Sequence, residues 1–191
     1  ICYLGTPHDY LWIATTPPML MYEELKKAYD AGAQRYWLLN VGDIKPMEIE
    51  MQQFFDMAWR LEDFSYNNAN HYQAQWLAKV FGSQEPKAKS EELTAKFQQI
   101  LDTYYRLAWQ RKPEFMGYEM EWDSDENNRL HDSNLTPAER RQRLADYQAI
   151  SDAVDDIEKQ LSPTLRPAFF EMLGYSVKEI YDKMNWTQNA Y

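Results

Sequence analysis

Two apolar runs that each lead through a polar loop into a helix constrain the fold of this chain most. Residues 36–41 are mainly apolar, and the polar loop that follows ends at Pro46, where an amphipathic stretch begins. Residues 3–10 show the same arrangement ahead of the next amphipathic stretch. A short continuous apolar run is typical of a strand covered on both faces. We therefore predict the order β-loop-α-β-loop-α for residues 1–60, as in α/β enzymes.

The two polar loops form the predicted site. In a parallel sheet both loops leave from the carboxyl ends of the strands, where α/β proteins bind their ligands. Together they would make one wall of a pocket. The side chains that can carry chemistry are Tyr3, His8, Asp9 and Tyr10 in the first loop, and Asn40, Asp43 and Lys45 in the second.

Each candidate also has a purely structural interpretation. Asn40 can hold a substrate hydroxyl or carboxylate without adding a charge, or its amide can cap the loop backbone. Asp43 can take part in catalysis, cap the end of the next helix, or pair with Lys45. His8 beside Asp9 can be a polarised imidazole or a hydrogen-bonding pair that stabilises the loop.

The residues of the two loops do not complete an active site. Hydrolysis of a glycoside normally requires two carboxyl groups that face the scissile bond, and the loops offer only Asp9 and Asp43. The sequence has no Ser-His-Asp arrangement, no glycine-rich phosphate loop and no metal-ligand spacing, so we predict no metal and no cofactor. The residues of the two loops therefore account for only part of a substrate pocket.

The first two helices carry boundary signals. Thr16 followed by Pro17 predicts an N-cap with proline at the first helical position, and Gly32 predicts the end of that helix. For the helix after Pro46 we predict a buried side made of Ile49, Phe54, Phe55, Ala58 and Trp59.

Residues 61–191 have helical periodicity and predict an antiparallel bundle of about five helices. The chain is thus mainly α, with a βαβα piece followed by a helical domain. Predicted boundaries are Gly82 as a helix end, Ser90 as the cap of a long helix that stops before Pro113, a capping box at residues 136–139, a helix from Ser162 to Gly174, and a last box at residues 176–179. The stripes of the two long helices are Leu93, Phe97, Ile100, Leu101, Tyr104 and Ala108, and Leu144, Tyr147, Ile150, Val154, Ile157 and Leu161.

Composition and charge exclude several classes of partner. The net charge of −10 argues against nucleic acid, because phosphate binding needs clustered Lys and Arg. No apolar run approaches the roughly 20 residues that span a bilayer. The single Cys2 excludes an intrachain disulfide framework. The acidic segment 119–134 lacks the Gly and distal Glu of a calcium loop, so we predict a solvated loop.

Both loop motifs resemble segments of glycoside hydrolase family 115, the xylan α-1,2-glucuronidases. The matching stretches are residues 3–12 (YLGTPHDYLW) and residues 37–46 (WLLNVGDIKP). The resemblance is strong over the first sixty residues, and the helical remainder fits only in order and character.

The resemblance implies a large enzyme, secreted or periplasmic, that removes glucuronic acid or its 4-O-methyl ether from xylan by an inverting, metal-independent route. Its catalytic domain is a (β/α)8 barrel followed by a helical domain. Residues 1–60 would then be the last βα units of the barrel and residues 61–191 the helical bundle. Tyr3 and Asn40 would line the sugar pocket, joined by His8 and Asp43, and the catalytic carboxylates would lie upstream of this chain.

The competing interpretation is a non-enzymatic helical module for interaction or dimerisation. In either case we expect the chain to be a piece of a longer protein, because it starts with Ile1 inside an apolar segment. An apolar strand edge left without its neighbours is a template for pairing with another chain. We therefore expect a homodimer, and as partner of the parent enzyme we expect glucuronoxylan or a decorated xylo-oligosaccharide.

Overall fold

The computed structural model describes residues 2–4, 12–82, 87–113 and 135–189, and these residues are mainly helical. Strands β1 and β2 flank the first helix, and short 3-10 turns lie on either side of helix α2. In chain order the elements are β1 (Cys2–Leu4), α1 (Pro18–Asp30), β2 (Leu39–Val41), α2 (Glu48–Trp59), α3 (Tyr72–Phe81), α4 (Lys87–Gln110), α5 (Pro137–Gln160), α6 (Arg166–Phe169) and α7 (Tyr175–Asn189). The prediction of a mainly α chain is confirmed.

Strands β1 and β2 are parallel neighbours in a two-stranded sheet, in the register that places Tyr3 opposite Asn40. The parallel pairing agrees with the prediction. The predicted strand over residues 36–41 is wrong in two respects, because the observed strand is only Leu39–Val41 and the residues before it are exposed. Tyr36 is 79% exposed and Leu38 is 43% exposed. Within the described residues the sheet has no third strand and forms no barrel, so the start of the apolar run is not covered on both faces.

Helix α1 begins one residue later than predicted and ends where predicted. Pro17 is the N-cap residue and Pro18 takes the first helical position, with no side-chain cap. Gly32 follows the last turn with a φ of 99°, a conformation that costs little only for glycine.

The buried side of α2 differs from the predicted one. Ile49 and Phe54 are buried as expected, but Phe55 is 58% and Trp59 85% exposed, and Ala58 is exposed as well. The residues that share the buried face are Ile49, Glu50, Gln53, Phe54 and Met57. Glu50 and Gln53 are buried at positions that the apolar pattern assigned to the surface. The buried face of α2 is therefore rotated relative to the predicted face.

Two apolar clusters hold the chain together. The first joins β1, α1, α2 and the turns after α2 through Leu4, Met21, Tyr22, Leu25, Met47, Phe54 and Met57. The second lies among α3, α4, α5 and α7, and it also contains Ile13 and Ile49 from the N-terminal part. Because those two residues pack in the helical core, the βα part and the bundle share buried surface.

The long helices of the bundle agree with the predicted stripes. Phe97, Ile100, Leu101, Tyr104 and Ala108 are buried. Helix α4 starts at Lys87, however, ahead of the predicted cap Ser90, whose carbonyl accepts a hydrogen bond from the Thr94 hydroxyl within the helix. Helix α3 ends before Gly82 as predicted.

The capping box of α5 is confirmed, because Thr136 and Glu139 bond to each other's backbone N–H. On the inner stripe of α5, Tyr147, Ile150, Val154 and Ile157 are buried, while Leu144 and Leu161 are partly buried. The acidic segment 119–134 lies outside the described residues.

Gly174 does not end a helix, which corrects the prediction. Helix α6 continues through a π-helical segment at Phe170–Gly174 directly into α7. A Cβ atom at Gly174 would lie 3.2 Å from Cδ2 of Phe170, so this glycine permits close packing in the π-helical segment. The predicted box at residues 176–179 is wrong for the same reason, because Ser176 lies inside the continuous helix and is buried.

No helix in the described part of the chain is both long enough and apolar enough to cross a membrane.

Candidate functional site

The carboxyl ends of β1 and β2 lie at one edge of the sheet, and the second predicted loop leaves from this edge. Tyr3 and Asn40 are Cα partners across the parallel pair. The side chain of Asn40 is exposed, so it is not packed beneath the helices. The side chain of Tyr3 and residues His8, Asp9 and Tyr10 lie outside the described residues.

The loop after β2 is tied to the helical domain by a charge pair. The Nζ atom of Lys45 lies 3.4 Å from Oε2 of Glu171 and 3.7 Å from Oε1 of Glu48. The Glu171 carboxylate raises the pKa of Lys45. Lys45 therefore pairs with these two residues rather than with Asp43, and the exposed Asp43 carboxylate faces solvent.

The start of α7 reaches the same edge. The ring centroids of Trp12 and Tyr175 are 6.0 Å apart, which joins the end of the first loop to the helical domain. Burial raises the pKa of Tyr175, and the negative charges of Glu179 and Asp43 raise it further. Asp43, Trp12 and Tyr175 thus share one neighbourhood, and no sequence motif indicated the contribution of α7.

Beneath this edge lies a buried carboxyl group that the sequence patterns missed. Glu50 is 5% exposed and occupies the inner face of α2. The Tyr105 hydroxyl oxygen lies 3.0 Å from Oε1 of Glu50. Oε2 of Glu50 has no hydrogen-bond partner among the described residues. The signal available in the sequence was its spacing from Ile49, Phe54 and Met57, which places it on the buried stripe.

A chain of hydrogen bonds fixes where the protons lie in this network. It must end at the carbonyl oxygen of Ala69, which can only accept, so Gln53 donates its amide to that oxygen at 3.0 Å. The amide oxygen of Gln53 then accepts from Nε2 of Gln73 at 3.0 Å. The amide oxygen of Gln73 accepts in turn from the Tyr105 hydroxyl at 2.8 Å.

Tyr105 therefore donates its single hydroxyl proton to Gln73 and has none left to donate to Glu50. The 3.0 Å contact between Tyr105 and Glu50 is a good hydrogen bond only when Glu50 supplies the proton. Burial raises the pKa of Glu50 to about 7, against the opposing effect of a backbone hydrogen bond to its carboxyl group. Geometry and desolvation therefore agree that Glu50 is a neutral carboxylic acid below neutral pH.

The free oxygen of Glu50 lines a gap with no room for a water molecule, bordered by Leu4, Met47 and residues 13–16. Beside this gap the Tyr104 hydroxyl donates to the carbonyl of Ala14 at 2.5 Å. Glu50 accordingly lies beside the end of β1 and the segment that follows the first loop.

Among the described residues no group of three His, Cys, Asp or Glu side chains is placed to hold a metal ion. The described part of the edge offers an amide, a carboxylate and aromatic rings, a set suited to binding hydroxyl-rich molecules.

Comparison with protein-family models identifies the family to which the chain belongs. The model of glycosyl hydrolase family 115 matches residues 1–115. The chain belongs to glycosyl hydrolase family 115. The resemblance of the two loop motifs is thereby confirmed, and the family 115 match also includes α3 and α4, while α5, α6 and α7 lie beyond it. No curated protein matches this family 115 chain.

Proposed function

We propose that this chain is part of a family 115 enzyme that releases glucuronic acid or its 4-O-methyl ether from xylan side chains. The observation that supports this most is the register of the two motif strands, which sets Tyr3 beside Asn40 at the carboxyl edge of a parallel pair. In α/β enzymes this edge carries the substrate site. The two strands would be part of a (β/α)8 barrel, with residues 1–60 completing it and residues 61–191 forming the helical domain.

The proposed roles follow from the chemistry of each side chain. Asn40 offers both a donor and an acceptor to the sugar, and its lack of charge suits contact with a uronic acid carboxylate. Tyr3 supplies a ring and a hydroxyl on the adjacent strand. His8 and Asp43 would border the same pocket from the two loops. The catalytic acid and base, the pair of carboxyl groups that an inverting reaction requires, are proposed to lie elsewhere in the enzyme.

We propose that the enzyme acts outside the cytoplasm, because xylan is a polymer that does not enter cells. The proposed substrate is glucuronoxylan or a decorated xylo-oligosaccharide, hydrolysed without a metal or other cofactor.

The test is hydrolysis of a xylo-oligosaccharide that carries one 4-O-methylglucuronic acid. The longer enzyme should release the uronic acid as the β-anomer first, because inversion of an α-linkage gives that product. Proton NMR in the first minutes distinguishes the two anomers. The 191-residue chain alone should release none. Absence of release by the longer enzyme, or initial formation of the α-anomer, would contradict the proposal.

A further inference from the structure

A cleft of about 310 Å³ opens at the carboxyl end of α2, away from the loop edge. Its lining includes Asp56, Trp59, Arg60, Asp63, Phe64 and Tyr72. Its volume lies at the lower end of the range for small-molecule sites and leaves room for one or two pyranose rings.

The aromatic side chains of this cleft are arranged as a binding surface. Trp59 is 85% exposed, more than any other large hydrophobic residue of the described chain. An exposed indole offers a large apolar face and an N–H donor to a ligand. The rings of Phe64 and Tyr72 also line the cleft, with centroids 5.5 Å apart. The C–H faces of a pyranose stack on aromatic faces because those faces carry partial negative charge.

The polar groups of the cleft select the charge of the ligand. Asp56 accepts hydrogen bonds from the Tyr72 hydroxyl and, at 2.8 Å, from Gln52. Arg60 donates to the carboxylate of Asp63 at 2.9 Å. The cleft thus holds two carboxylates and one guanidinium, and that guanidinium is already paired. Carboxylate oxygens accept sugar hydroxyls well, but a uronic acid would meet like charge.

We propose that this cleft is a second carbohydrate subsite, which binds the neutral backbone of xylan rather than its glucuronic acid branch. The choice of xylan rests on the proposed function above. The cleft is separated from the sheet edge by the length of α2, whose 12 residues span about 18 Å. A polymer bound at the loop edge by its side chain can therefore extend over the surface and contact the cleft with undecorated residues.

Titration calorimetry with unsubstituted xylohexaose on the 191-residue chain tests this. Trp59→Ala should weaken binding at least tenfold. The matched control is Trp109→Ala, which removes another exposed indole, 70% exposed, from the end of α4. That variant should bind as the unaltered chain does, and free glucuronic acid should not compete with xylohexaose.

The proposal is overturned if the unaltered chain does not bind xylohexaose, if Trp59→Ala binds as well as the control, or if glucuronic acid displaces the ligand. The measurement needs no hydrolysis, so it is separate from the test of the proposed function. Asn40→Ala should leave the affinity for xylohexaose at this cleft unchanged. An active enzyme without cleft binding refutes the subsite alone, and cleft binding in an enzyme that releases no uronic acid refutes the proposed function alone.

Discussion

The hydroxyl oxygen of Tyr105 lies 3.0 Å from a carboxyl oxygen of Glu50, and the pair is held together by a proton that Glu50 supplies. The partners of this network come from three helices, because Glu50 and Gln53 lie on α2, Gln73 on α3 and Tyr105 on α4. Hydrogen bonds between buried side chains of different helices fix the relative position of those helices. The network therefore joins the βα part to the bundle.

The stability of the chain should fall as the pH rises from about 4.5 to 7. The ordinary pKa of a glutamate is 4.5, and in the fold that of Glu50 is about 7. Below the lower value both the native and unfolded states hold the proton. Between the two values only the native state holds it, so unfolding releases a proton and rising pH favours unfolding. The loss is about 3 kcal/mol and is complete above the higher value.

Glu50→Gln should remove this contribution, because an amide keeps a donor toward Tyr105 without a titrating group. Urea unfolding at pH 5 and pH 8 measures the effect as the difference between the variant and the unaltered chain. Glu62→Gln, which changes an exposed carboxylate paired with Arg60, is the control and should keep the original pH dependence. If Glu50→Gln unfolds with the same pH dependence as the control, the titration of Glu50 does not cause the pH dependence of stability.

Arg143 should stabilise the end of α4 from the neighbouring helix. It is 4% exposed, and its guanidinium donates to the carbonyls of Leu107 at 2.7 Å and Arg111 at 2.6 Å. Leu107 lies in the last turn of α4, where its carbonyl also accepts from the Arg111 N–H at 3.3 Å, and Arg111 follows the end of the helix. Replacing the arginine removes two charge-assisted hydrogen bonds from the end of α4, at about 1.5–3 kcal/mol.

Chemical denaturation of Arg143→Gln checks this expectation. Arg141→Gln is the matched control, since Arg141 lies on the exposed side of the same helix and its loss should change the free energy of unfolding by less than about 0.5 kcal/mol. Equal stability of the two variants would show that the buried guanidinium does not cap α4.

The chain should form a dimer in solution through the edge of its small sheet. Tyr36, Leu38 and Ile44 are 79%, 43% and 64% exposed around β2. Exposed apolar residues beside an unpaired strand favour pairing between chains. Light scattering at tens of micromolar should give twice the mass of the chain, and Leu38→Lys should give the monomer mass. A monomer for the unaltered chain would contradict this prediction.

Much of the helical architecture was predictable because local signals and tertiary packing agree there. The capping box at Thr136, the stripe of α4 and the turn at Gly32 each follow from a rule that acts within one or two turns. Where packing overrides the local pattern, prediction failed. Glu50 and Gln53 look like surface residues in the sequence, but both lie in the core, where they form hydrogen bonds within a three-helix network.

The candidate site was predictable only in part, for a similar reason. Two strand-to-loop junctions indicated that Tyr3 and Asn40 would meet, and the register of the parallel pair shows that their backbones do. The approach of Tyr175 and Glu171 to the second loop could not be foreseen, because contacts between residues that distant in the chain leave no periodic signal. Gly174 misled for another reason, since glycine serves both to end helices and to permit close packing.

The most direct test of the central claim, that Asn40 contacts the sugar, is the kcat/KM of the longer enzyme for release of glucuronic acid. Asn40→Ala should lower this value by about tenfold to a thousandfold, since a buried polar contact with substrate contributes about 1–4 kcal/mol. Asn67→Ala, an exposed asparagine after α2, should leave it unchanged. An Asn40→Ala enzyme that has an unaltered circular dichroism spectrum and a kcat/KM equal to that of the Asn67 variant would contradict the account.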